Sequence, residues 1–219
     1  MTNRFCPVVL ASALAFSGYL SAGVILSNNL TETTLTTDTI STTNFEAISF
    51  ATDNNTYSFN SAILLIAPGV ASPPPPAQGL APLPAADIPE VDLYADDGGP
   101  GPGTLIQTLT PPGSFSGLAP YTFTGSGIIL SPSTTYWVVL KTISGNFSWA
   151  IPTDSVGSGV GFTDTFAFSS GSTWTIGSGQ PDQAEIIGDL VTAPEPSSLW
   201  LIACGGLLLL GFGRRLRRA

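Results

Sequence analysis

From Phe45 onward the chain runs in short segments that alternate polar and apolar residues, each closed by turn chemistry. Glu90-Val91-Asp92-Leu93-Tyr94 and Tyr121-Thr122-Phe123-Thr124 have a period of two, the repeat of a half-buried strand. Asp53-Asn54-Asn55-Thr56, the run Asp96 to Gly103, Pro111-Pro112-Gly113 and Ser131-Pro132-Ser133 supply the turns between segments. Thr135-Tyr136-Trp137-Val138-Val139-Leu140 is the most apolar and β-branched run, which predicts a central strand. No helical period competes with this rhythm. About ten short strands with Gly/Pro turns predict an all-β domain over residues 45–192, a β-sandwich of jelly-roll-like form.

Two stretches depart from the rhythm. Nine of the fourteen residues from Leu30 to Thr43 are Thr or Ser, which favours extended backbone, either a strand or an exposed linker; residues 23–44 are read as a Thr-rich N-terminal segment. Pro68 to Pro89 holds Pro73-Pro74-Pro75-Pro76 and further prolines at 82, 84 and 89. A sheet interior does not accept that density of proline, so this is expected to be an inserted polyproline-like loop between two strands.

The two ends carry targeting chemistry. Residues 1–22 have a positive Arg4, an apolar core from Pro7 to Leu20 and small residues at Ser21-Ala22, the make-up of a secretory signal peptide. At the other end, Pro194-Glu195-Pro196 stiffens the chain, Leu199 to Gly213 is free of charge, and Arg214, Arg215, Arg217 and Arg218 follow. Arginines beside an apolar span stay on the cytoplasmic side, so a single transmembrane helix over 199–213 is expected, with everything before it outside. Its 15 residues span only about 22 Å of helix, and snorkelling arginines with local bilayer thinning make up the difference.

This three-part tail, residues 193–219, resembles the PEP-CTERM sorting signal. The resemblance implies an exosortase as partner, a stay in the inner membrane before processing near the Pro-Glu-Pro motif, and delivery to the cell surface or an extracellular polymer. Ala193 stands where the usual form has Val. A second likeness lies in Val91-Asp92-Leu93-Tyr94, Pro102-Gly103-Thr104-Leu105-Ile106-Gln107-Thr108-Leu109 and Ile129 to Val138. These segments are similar to the choice-of-anchor R domain, an extracellular β domain with no assigned reaction, so no catalytic residue carries over.

Charge and residue usage narrow the chemistry. Between Gly23 and Thr192 there is one basic residue, Lys141, against fourteen acids, a formal net charge of −13. Such a surface repels nucleic acid and anionic membranes and suits cations or neutral glycans. The two cysteines, Cys6 and Cys204, lie in the leader and the tail, so the exported part has no disulfide. The chain contains no histidine, which removes His-dependent triads and His-based metal sites.

What remains is sparse. Glu90 and Asp92 share a strand face and are the pair that a carboxylate-based hydrolase would need. Asp92, Asp96 and Asp97 beside Gly98-Gly99 are candidate oxygen ligands for Ca²⁺, with an ordinary acidic turn as the competing reading. Trp137, Trp149 and Trp174 are candidates for a sugar-stacking platform, with core packing as the alternative. The expected function is a non-enzymatic surface or matrix protein, no enzyme and without a cofactor. The alternative is a carbohydrate-binding module, with or without Ca²⁺.

Overall fold

The computed structural model describes residues 23–69, 87–171 and 173–192. Thirteen strands form in chain order: β1 (Val24–Asn28), β2 (Thr34–Ile40), β3 (Phe45–Ala51), β4 (Tyr57–Pro68), β5 (Ile88–Ala95), β6 (Leu105–Thr108), β7 (Ala119–Thr124), β8 (Ile129–Leu130), β9 (Thr135–Ser144), β10 (Phe147–Pro152), β11 (Phe162–Ser169), β12 (Trp174–Ser178) and β13 (Ala184–Leu190). There is no helix among the described residues. The signal peptide, most of the proline-rich insertion and the tail, including Pro194, Glu195, Pro196 and the predicted helix 199–213, lie outside them.

The strands make two antiparallel sheets. One has seven strands in the order β1-β13-β4-β10-β2, with β7 and β8 on the other edge of β4; the second runs β12-β11-β3-β9-β5-β6. Period-two alternation aims one face of each sheet at the other. Leu26, Phe59, Leu64, Phe123 and Ile186 of the first sheet pack in one buried cluster with Ile48, Phe50, Leu93, Val138 and Leu140 of the second. The result is a sandwich.

Two strands explain features that the sequence pattern alone blurs. In β4 the buried positions shift parity between Phe59 and Ala62. Against β13, Ser61 faces Ile187 but Phe59 faces Gly188, which leaves Asn60 as one extra residue, a β-bulge. In β9, residues 136–140 are all buried. Tyr136, Val138 and Leu140 join the inner core, while Trp137 and Val139 pack on the outer face with Ala47 and Ala167, beside Phe45, Tyr94 and Trp174. The central position expected for this run holds: β9 lies between β3 and β5.

The sandwich also starts earlier than Phe45. The Thr-rich segment is strand β2, paired with β10 from Thr34 to Ile40, and β1 pairs with β13. At this edge of the sheet strict alternation is not required. Leu35, Thr36 and Thr37 are exposed and only Ile40 is buried, so the β-branched threonines supply extended backbone and a soluble rim.

Candidate functional site

Strand alternation decides the fate of the paired carboxylates. Val91 and Leu93 of β5 face the core, so Glu90, Asp92 and Tyr94 share the opposite face. The register of β5 on β9 sets Glu90 against Lys141. Lys141 Nζ lies 2.7 Å from Glu90 Oε1 and 2.6 Å from Asp92 Oδ2. Thr108 Oγ1 donates to Asp92 Oδ1 at 2.6 Å, and the Tyr94 hydroxyl donates to Oδ2 at 3.5 Å. Burial works against the charge on Lys141, but the hydrogen bonds to Asp92 and Glu90 outweigh it and hold its pKa above the ordinary lysine value. Both carboxylates are thus engaged by one ammonium, and Asp92 is buried.

The predicted calcium ligands are not brought together. Asp92 belongs to the ion-pair network. Asp96 accepts from the Gly98 amide at 2.8 Å, and Asp97 accepts from Thr104 Oγ1 at 2.7 Å, so both shape the loop that carries them.

The three tryptophans divide between two clusters, Trp149 in the inner core and Trp137 with Trp174 on the outer face. Trp149 is wholly buried in the inner core and donates Nε1–H to the Gln183 carbonyl at 3.0 Å. Trp137 is buried on the outer face, and its Nε1 has no hydrogen-bond partner. Trp174 is half-buried; a Cβ on Gly101 would come within 2.7 Å of the Trp174 Cβ, so the glycine loop rides directly on it.

A different group of carboxylates does converge. Asp38 of β2, Glu46 of β3 and Asp182, in the connection from β12 to β13, each place an oxygen within 4.8 Å of the other two. Glu46 has the inward parity of Ile48 and Phe50, and Asp38 that of Ile40, so the two sheets deliver them to the same space. The group opens on a cleft of about 360 Å³ lined by Asp38, Asp182, Ile151, Phe166 and Gln180. Burial, and then the charge of Asp38, push the Glu46 carboxyl up to about 8. Burial raises Asp182 well above the carboxylate range, with Glu46 and Asp38 adding to it, and burial also raises Asp38. Asp182 is 2% exposed, and its Oδ1 is buried without a hydrogen-bond partner. Both ion pairs among the described residues belong to Lys141, so no cation of the described residues answers this charge. Nothing in the linear sequence marked these three: they are spread over 144 positions, and closure of the sandwich alone unites them.

Comparison with known proteins bears on the tail. Residues 192–218 match the PEP-CTERM protein-sorting motif. The match starts two positions after β13 ends at Leu190, so the sandwich feeds straight into the sorting segment. It supports exosortase-dependent sorting of an exported protein, since such C-terminal tags direct export and surface localisation. No curated protein matches the chain. Among the described residues no helix is long and apolar enough to cross a membrane.

Proposed function

We propose that this is a non-enzymatic protein of the cell surface or extracellular polymer matrix. In this reading a PEP-CTERM signal holds it in the inner membrane until an exosortase processes it. The sorting-motif match directly after the last strand carries the reading. The body that it delivers is a jelly-roll sandwich: β1-β13-β4-β7 in one sheet and β3-β9-β5-β6 in the other follow the alternation of two Greek keys. The non-enzymatic part is supported by the lack of histidine in the chain and by the engagement of Glu90 and Asp92 with Lys141. The likeness to choice-of-anchor R domains fits the same role. A matrix polysaccharide as partner belongs to this proposal, with the sandwich as a passive neighbour; the burial of Trp137 and Trp149 argues against sugar stacking on those two rings.

Mass spectrometry of the surface fraction tests it. The mature C-terminus is expected near Pro194-Glu195-Pro196. Surface protein that still carries residues 199–219 would overturn the processing step. Polysaccharide turnover by the purified chain would overturn the non-enzymatic reading.

A further inference from the structure

We propose that Asp38, Glu46 and Asp182 form a binding site for a divalent, oxygen-preferring cation, with Ca²⁺ as its occupant, that ties the two sheets together. Two ligand oxygens on opposite sides of one ion at about 2.4 Å stand about 4.8 Å apart. The three carboxylates here lie within 4.8 Å of one another, so all can reach a common ion.

A second observation points to a ligand. Asp182 Oδ1 is buried without a partner, in a side chain whose carboxylate belongs to the cluster. An orphaned buried carboxylate oxygen costs free energy until a partner meets it. The described residues offer no basic side chain there: Lys141, their one cation, is held by Glu90 and Asp92. The donor set is all oxygen, with no His or Cys, which selects hard cations over zinc or copper. Adjacent Ser178, Gly179 and Gln180 line the cleft, which leaves room for water to complete the six to eight ligands that Ca²⁺ takes.

Catalysis fits the same residues poorly. Paired carboxylates of glycosidases stand about 5–9.5 Å apart to flank a sugar. These are closer, and Asp182 is out of reach of a polymer. The elements involved are instead those a clamp would join: β2 in one sheet, β3 in the other, and the chain entering β13.

The test uses the full-length chain, stripped with EDTA and titrated calorimetrically with CaCl₂ and MgCl₂, together with thermal melts in either state. One Ca²⁺ per chain is expected, with a melting temperature that rises on calcium addition. Glu46→Gln and Asp182→Asn keep the side-chain shape and should lose at least tenfold in affinity and most of the thermal shift. An Asp96→Asn/Asp97→Asn variant should retain both. Absence of saturable uptake of either ion by the wild type would overturn the site, whatever the variants do. Uptake that survives in Glu46→Gln or Asp182→Asn, or that vanishes in Asp96→Asn/Asp97→Asn, would overturn its assignment to these residues. Failure here leaves the sorting reading untouched, since processing at the tail is scored separately.

Discussion

Lys141 Nζ sits 2.6 Å from Asp92 Oδ2 and 2.7 Å from Glu90 Oε1, so one ammonium answers both acids of the strand, including one with no solvent contact. Removing one partner of a buried pair leaves an uncompensated charge, which costs about 3–5 kcal/mol. Thr108 and Tyr94 still serve Asp92, which places Lys141→Met at the low end, about 3 kcal/mol. Urea unfolding at neutral pH checks this. The Asp92→Asn/Lys141→Met double variant should regain a large part of the loss; if it is as unstable as the single variant, the charge explanation fails.

The two buried tryptophans should respond unequally to Phe. Trp149→Phe loses the bond to the Gln183 carbonyl and opens space in the inner core, a cost of about 2 kcal/mol. Trp137→Phe deletes a buried N–H that had no partner, which offsets part of the lost packing and keeps the cost under about 1 kcal/mol. Paired denaturation curves decide it, and equal midpoints would refute the contrast.

Gly161 stands where the sheets are stitched. Its amide donates to the Leu26 carbonyl at 2.8 Å, and its carbonyl accepts from the Ala51 amide at 2.8 Å, joining β1 of one sheet to β3 of the other. A Cβ at this position would overlap the Ala51 carbonyl, a backbone group that no side-chain rotation can move. Gly161→Ala is therefore expected to cost about 3 kcal/mol. A midpoint within error of wild type would show that the two strands part easily.

The rhythm of alternation made the sandwich legible, because period-two burial is written residue by residue. The apolar, β-branched run Thr135 to Leu140 predicted a central strand, and β9 lies between β3 and β5; that Trp137 and Val139 would pack on its outer side was not written there. The Asn60 bulge was not legible, since an extra residue shows only once β13 fixes the register. The same holds for function. That Glu90 and Asp92 share a face follows from the sequence; that Lys141 stands across from them depends on how β5 pairs with β9. Asp38 is a single acid within the Thr-rich stretch, and Asp182 stands in the connection between β12 and β13. Their meeting with Glu46 is a product of long-range closure, which no local pattern encodes.

The arginine cluster offers a test of sorting. Positive residues beside an apolar span set which side stays in the cytoplasm. Replacing Arg214, Arg215, Arg217 and Arg218 with Ser should lower the amount of processed protein at the surface several-fold and leave the sandwich folded. Quantitative immunoblots of surface and membrane fractions read the outcome. Unchanged surface yield would mean that the cluster is not the topological signal.

Without calcium, the carboxylate group should make stability depend on pH. Glu46 is pushed up to about 8 from an ordinary 4.5 by burial and by Asp38, and burial likewise raises Asp182 and Asp38. The folded chain then keeps protons that the unfolded chain has already released. A raised carboxyl pKa gives stability that is complete below the unfolded value and is lost as pH climbs through the folded one. In EDTA, urea midpoints of the wild type are therefore expected to fall between about pH 5 and pH 8. Glu46→Gln cannot ionise, so its profile should be flatter over the same window, and the two curves should converge or cross towards the upper end. Added Ca²⁺ compensates the ionised carboxylates and should remove most of the decline in the wild type alone. Parallel wild-type and Glu46→Gln profiles in EDTA would show that Glu46 is not the titrating group.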